Sequence, residues 1–241
     1  MNPHVLSTVL YETGGTHDVE VLRRLADTRS AYQHILVVDT SAYGRCLVLD
    51  GVMQTADSDH ALYDDALLRR LRPDDRRVLV VGGGDGYVAR RALERAPQAR
   101  VLVVDIDPVV VELADRLLNP GFRSDPRVEV RIGDGRLALP RLTPGTFDGA
   151  ALDLTDIPLD PARAAGALEL YRDMLAATRP LLRPGGWLSV QGGPSAVAGG
   201  HVDVAGTIAG LLAAELRDVV REDVFVPSYA EKNCFFHGTA P

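Results

Sequence analysis

Lysine is almost missing from this chain: of 26 basic residues only Lys232 is a lysine, a bias that fits a high-GC genome and carries no mechanism. Cysteine is equally scarce. Cys46 and Cys234 lie far apart with no CxxC or Cys/His cluster, which speaks against a zinc site or a disulfide framework and leaves two plain buried thiols as the expectation. The six histidines show no metal-ligand spacing, so no metal is expected. No apolar run approaches the roughly 18 residues of a membrane span. The opening MNPHVLSTVLYETGG lacks the basic and apolar regions of a secretory signal, so a cytoplasmic protein is expected. Surplus positive charge is absent as well. A net charge of −7 argues against sequence-independent binding to nucleic acid or to an anionic membrane, and suits a cationic partner.

What is present is enough for a core. The 241 residues, 46% hydrophobic and 24% charged, fit one α/β domain with a small appendage. Residues 1–58 carry strand signals (VLSTVLYE, VEVLRRLADTRS, QHILVVDT, CLVLDGVMQT) broken by turns at Gly14-Gly15 and Ser41-Ala42-Tyr43-Gly44, and predict a small antiparallel sheet. From Ala61 to Pro73 the spacing of Leu62, Leu67, Leu68 and Leu71 predicts a helix. Over residues 59–241, continuously apolar strands (VLVVGGG, RVLVVDID, RVEVRIGD, FDGAALDLTD, WLSVQGG) alternate with helical stretches, as in a parallel sheet covered on both faces. The predicted fold is therefore α/β, a doubly wound sheet of the Rossmann-like, methyltransferase-like kind with a small N-terminal antiparallel β domain. Its ligand belongs at the carboxyl ends of the strands.

The residues with chemistry fall at those ends. Gly82, Gly83, Gly84, Asp85 and Gly86 follow an apolar strand and open a helix, where glycines allow a tight turn and a close cofactor approach. The next strand ends at Asp105 and Asp107, about 20 residues on, placed to bind ribose hydroxyls. A third ends at Asp134-Gly135 and a fourth at Asp153 and Asp156. Helix capping explains any one of these acids, and Asp107 and Asp134 can cap and bind at once. Four carboxylates at one sheet edge suggest an adenosyl cofactor without naming the reaction.

The segments YQHILVVDTSAYGRCLVLDGVMQTADSDHALYDDAL, GGGDG, VVDID, RVEVRIGDG, DLTD and VPSY, from Gln33 to Asp156 with a fainter tail to Tyr229, resemble the spermidine synthase family of polyamine aminopropyltransferases. The resemblance implies that decarboxylated S-adenosylmethionine binds and that its aminopropyl group moves to a diamine, releasing methylthioadenosine without a metal. It implies Gln33 and Asp105 on the ribose and Asp134 with Gly135 on the adenine. Asp85 falls to the propylamine, Asp153 to proton acceptance, and Tyr63, Asp156 and Tyr229 to the amine. A homodimer formed through the N-terminal β region is implied too. A carboxylate at Asp85 attracts the ammonium of the decarboxylated cofactor and repels the carboxylate of ordinary S-adenosylmethionine, so it selects by charge.

Departures from the family cluster on the acceptor side. The DSSDP and GPA pattern reads DLTDIPLDPARAAGALELYRDML, with both aspartates kept. Asp64 stands where a neutral His or Gln is usual; facing the pocket it favours a more cationic amine, and as a solvated helix residue it carries nothing. The Tyr-Pro-Ser-Gly run has become Tyr229-Ala230-Glu231-Lys232. The competing reading is an S-adenosylmethionine-dependent methyltransferase, or an amino-carboxypropyl transferase acting on an unusual small amine. Asp85 and the pair Asp153 and Asp156 speak against methyl transfer, which needs no acidic slot for an ammonium.

Overall fold

Strands that alternate inward and outward residues and strands that are apolar throughout sort into two sheets, as their burial requires. A computed structural model describes residues 4–154, 161–197 and 204–241. The first sheet runs in sequence order: β1 (Val5–Val9), β2 (Thr16–Arg29), β3 (His34–Thr40), β4 (Gly44–Leu49) and β5 (Val52–Ala56), all antiparallel. The stretch from Cys46 to Thr55, read as one strand signal, is two strands turning at Asp50 and Gly51, both at positive φ.

Seven strands form the second sheet: β6 (Arg77–Gly82), β7 (Arg100–Asp105), β8 (Val128–Ile132), β9 (Phe147–Asp153), β10 (Leu182–Pro194), β11 (Arg217–Val226) and β12 (Glu231–Thr239). Their order is β11-β12-β10-β9-β6-β7-β8. Five of them are parallel. The last two pair antiparallel, with β12 between β10 and β11, so the sheet is mixed where a parallel one was expected. The cause lies in the return of the chain: Pro227–Tyr229 is one tight turn, which can join only antiparallel neighbours.

The helices are α1 (His60–Leu67), α2 (Tyr87–Arg95), α3 (Pro108–Leu113), α4 (Gly135–Ala138), α5 (Pro161–Thr178) and α6 (Val204–Glu215). One face of the sheet packs Leu79, Leu152 and Val190 against Tyr171, Met174 and Ile208 of α5 and α6. The other packs Val80, Ala151 and Phe235 against Leu67 of α1 and Val88 and Ala92 of α2. Trp187 is 1% exposed and donates its indole N–H to Asp75 at 2.8 Å. Asp75, although it sits in an arginine-rich stretch, is therefore an interior acceptor. The first sheet sits on the second unit through Ile35, Val37 and Leu47 against Tyr87, Val110 and Phe122.

From β6 the chain steps outward through β7 and β8, then returns to place β9 on the other flank of β6. Such a reversal opens a crevice at the carboxyl ends of the two strands. Here those ends are Gly82 and Asp153, which face each other in register.

Candidate active site

That crevice is a cavity of about 440 Å³ roofed by the first sheet. Gln33, Gly82, Gly84, Asp85, Asp105, Asp134, Gly135, Tyr63, Asp64, Asp153 and Tyr229 all line it. Of the predicted site residues, Gly86 stays outside the wall as the N-cap of α2, and Asp156 lies outside the described residues.

At one end, Asp105 closes β7 and accepts the amide of Asp107 at 2.8 Å and that of Gly84. Burial pushes its carboxyl up from the ordinary value. Asp107 is 1% exposed: one oxygen caps α3 through the amides of Val109 and Val110, and the other takes the Ser30 hydroxyl at 2.6 Å and the Gln33 amide at 2.9 Å. It holds Gln33 at the wall and has no room to bind a ligand itself. Asp134 caps α4 at the amide of Arg136 and accepts the guanidinium of the same residue at 2.7 Å, which holds its carboxyl below the usual range.

At the centre, the Tyr63 hydroxyl donates to Asp153 at 2.5 Å. Asp85 accepts the amide of Tyr87 at 3.1 Å and the hydroxyl of Thr55. Asp64 is 2% exposed and bonds to the imidazole of His60 at 2.8 Å, so the solvated-helix reading of Asp64 is excluded. His60 is in turn stacked on Tyr87 with ring centroids 3.9 Å apart. Sequence reasoning missed His60, although His and Asp four apart on a helix share a face and could have flagged the pair. Asp59 has no capping bond to α1. Its carboxylate instead takes the Ser228 amide at 2.6 Å and hydroxyl at 3.0 Å, which sets the turn that carries Tyr229. The Tyr229 hydroxyl donates to the carbonyl of Gln54, and its ring meets that of Tyr63 edge-on at 6.2 Å.

Burial together with mutual repulsion pushes the carboxyls of Asp153 to about 8, Asp64 to about 7 and Asp85 to about 6. For Asp153 the loss of water is the largest cause, the charge of Asp85 adds to it, and the Tyr63 hydrogen bond opposes both. Between the ordinary Asp value near 4 and these raised values, the folded chain binds more protons than the unfolded one, so its stability falls as pH rises. One extra proton held across two pH units amounts to about 2.7 kcal/mol, or roughly 5 to 10 °C in Tm for a chain of this size. The ligand-free protein is therefore expected to melt at a higher temperature at pH 5.5 than at pH 7.5. A flat or rising profile by scanning calorimetry would refute the arrangement. The lowered carboxyls of Asp27, Asp65 and Asp125 act in the opposite sense below pH 4, and His237, pushed down to about 4 by burial, acts in the opposite sense up to about pH 6.5, which offsets part of the fall produced by the three raised carboxyls.

Seven carboxylates line the cavity (Asp50, Asp64, Asp85, Asp105, Asp134, Asp153 and Glu231), and among the described lining residues there is no Lys, Arg or His. Such a wall attracts cations and repels anions.

Comparison with known proteins agrees with this geometry. The family model described as "Spermine/spermidine synthase domain" matches residues 66–237, and that described as "Spermidine synthase tetramerisation domain" matches residues 8–57. The chain is 35% identical over 184 residues to a spermidine synthase of Solanum lycopersicum, covering 74% of this chain and 52% of that protein. It is 40% identical over 180 residues to polyamine aminopropyltransferase 2 of Pseudomonas aeruginosa, covering 71% and 50%. It spans about half the length of these relatives. Among solved structures, a spermidine synthase in complex with the transition-state analogue AdoDATO superposes with a TM-score of 0.83 at 20% identity, over 99% of this chain and 81% of that one. The spermidine synthase of Thermotoga maritima follows at 0.79 and 19%, over 99% and 80%. With a methyltransferase-like fold, a cavity walled by carboxylates at its switch point and a family model that covers most of its length, the chain belongs to the spermine/spermidine synthase family.

Proposed function

We propose that the chain is an aminopropyltransferase that takes decarboxylated S-adenosylmethionine as co-substrate, moves its aminopropyl group to a small cationic amine and releases methylthioadenosine. A wall of seven carboxylates with no cation among the described lining residues is the observation that carries this reading. Asp105 and Gln33 are placed for the ribose, Asp134 and Gly135 for the adenine edge, and Asp85 for the propylammonium. Tyr63, Asp64 and Tyr229 border the acceptor, and Asp156 joins them by resemblance to the family.

The reaction is a displacement at the carbon beside the sulfonium. The nitrogen–carbon bond forms as the carbon–sulfur bond breaks, and the sulfur leaves neutral as methylthioadenosine. The attacking nitrogen must first lose a proton. A primary ammonium titrates near 10, so neutral amine costs about 4 kcal/mol at pH 7. Asp153, at the end of β9 and oriented by Tyr63, is placed to take that proton. Asp85 holds the other reactant, and fixing both in line supplies much of the remaining acceleration.

The test is calorimetric titration with decarboxylated S-adenosylmethionine, S-adenosylmethionine and methylthioadenosine, then mass spectrometry after adding amines. Preference for the decarboxylated form and a gain of one aminopropyl unit are expected. Preference for S-adenosylmethionine would move the chain to the methyl or amino-carboxypropyl classes. Asp85→Asn is expected to reduce a cofactor preference on the order of 100-fold to a few-fold, since it removes one charge close to the discriminating group. Unaltered selectivity would refute the charge argument.

We further place the protein in the cytoplasm and as a homodimer. The two buried cysteines are free, which fits a reducing compartment. The first sheet carries exposed apolar side chains (Val5, Val9 and Leu22) and matches a model described as a tetramerisation domain, which favours assembly through that sheet.

A further inference from the structure

The opposite end of the second sheet carries charge of the other sign. A second cavity, of about 400 Å³, opens at the amino ends of β6 to β9, and Arg77, Arg100, Arg127, Arg131 and Arg141 line it against one carboxylate, Glu129. β6 and β7 are six residues long, so about 17 Å of strand separates this end from Gly82 and Asp105 in the crevice. No one small ligand fills both.

Strand pairing places the arginines. Arg77 is level with Arg100, and Val101 with Val128, so Arg127 continues the row one strand farther. Residues level on neighbouring parallel strands stand on one face, here the face that carries Leu79 and Leu102. Adjacent strands lie about 4.8 Å apart, which spreads the three over roughly 10 Å. Arg131, four residues after Arg127, shares the face, and Arg141 reaches the cavity from the single turn Leu139–Arg141.

Two of the five are neutralised within the chain: Arg127 by Asp125 at 2.6 Å and Arg131 by Glu129 at 2.7 Å. The other three have no carboxylate partner among the described residues. Arg77 lies over the ring of Phe147 at 5.4 Å, Arg100 reaches only the carbonyl of Pro126 at 3.4 Å, and Arg141 makes no hydrogen bond with a described residue. The chain has 33 acids to 26 bases, so a shortage of acids does not explain this. Three unpaired guanidiniums gathered on one cavity repel one another until an anion joins them. Guanidinium holds phosphate through two parallel hydrogen bonds, and a row of this length matches charge spread along a chain of phosphates. A single phosphate meets only part of the row. A long nucleic acid would leave the cavity over a surface of net negative charge, which repels it.

We propose that this cavity binds a short oligophosphate, inorganic or carried by a nucleoside. The site is separate from the aminopropyl-transfer reading and stands without it.

Calorimetric titration with inorganic triphosphate, ATP and inorganic phosphate, at low ionic strength without divalent cations, tests it on three proteins: the wild type, Arg100→Gln with Arg141→Gln, and Arg24→Gln with Arg116→Gln. The first pair removes two exposed, unpaired guanidiniums and spares the packing of Arg77 on Phe147; the second removes equal charge from exposed positions outside the cavity. One triphosphate per chain is expected, bound at least about tenfold more tightly than phosphate. The cavity variant is expected to lose at least about tenfold in triphosphate affinity, as charge-assisted hydrogen bonds disappear, and the control pair less than about threefold. ATP that binds more tightly than triphosphate and loses this affinity in the cavity variant identifies a nucleotide as the ligand; otherwise the inorganic chain is the ligand. No saturable triphosphate binding, equal losses in the two variants, or phosphate bound as tightly as triphosphate would overturn the site.

Discussion

Asp153→Asn is expected to lower turnover about a thousandfold while methylthioadenosine affinity stays within threefold. The magnitude follows from the work the carboxylate does: a thousandfold is about 4 kcal/mol, close to the cost of stripping the acceptor ammonium at neutral pH. Asparagine keeps the size of the side chain and an oxygen for the Tyr63 hydroxyl, so the strand end and the cavity keep their shape. Only proton acceptance is lost. The wild type also has a signature that the variant lacks. With its carboxyl pushed to about 8 in the empty site, Asp153 must lose its proton before it can act, so kcat/KM rises with pH across the neutral range. Both are read from rate–pH profiles and calorimetric titration. A variant with wild-type turnover, or one that keeps the acid limb, would remove Asp153 from the chemistry.

Gly82→Ala is expected to act on the fold as strongly as Asp153→Asn acts on the rate. A β-carbon at Gly82 would lie 1.8 Å from the carbonyl oxygen of Asp153, backbone against backbone, at a φ of +80°. Neither partner can rotate away, because the two residues are paired at the adjoining ends of β6 and β9. Relief requires the strands to part just where Asp153 leaves the sheet. Clashes of this kind cost more than about 4 kcal/mol, which for a chain of this size lowers Tm by roughly 10 to 15 °C. Gly51→Ala is the control. Gly51 has a φ of +86°, but nothing lies within 4 Å of its added β-carbon, so backbone strain of about 1 to 2 kcal/mol is the whole cost. Equal melting shifts in the two variants would show that the close approach at Gly82 is not needed.

The parts of the site that could be read from the sequence are those written as strand ends. Asp85, Asp105, Asp134 and Asp153 each follow an apolar strand, and a doubly wound sheet delivers such positions to one edge whatever the rest of the chain does. The five parallel strands of the second sheet were legible for the same reason. Roles set by tertiary neighbours were not. Asp107 has the same local pattern as Asp105, yet Ser30 and Gln33 from the first sheet use the oxygen that α3 leaves free. The helix position of Asp64 left open whether it faces water or the cavity, and burial against Asp85 and His60 settled that. Glu231 reads as simple divergence in the sequence, whereas the antiparallel insertion of β12 makes it part of the cavity wall. That insertion depends on a three-residue turn whose effect on topology no periodicity records.

The position of β12 also bears on how the protein is made. The strand nearest the C-terminus of this chain is an interior strand, bonded to β10 on one side and β11 on the other. A ribosome that has released residues up to 226 has therefore produced a sheet with a gap, and β11 has no place to dock. Folding of this half must wait for β12 and then close long-range pairings at once, a slow and aggregation-exposed step. The same strand brings Glu231 to the Glu12 amide, so that bond to the turn after β1 waits for β12 as well. A chain truncated before this strand would leave unpaired edges on both neighbours, the kind of surface that recruits other chains and quality-control proteases.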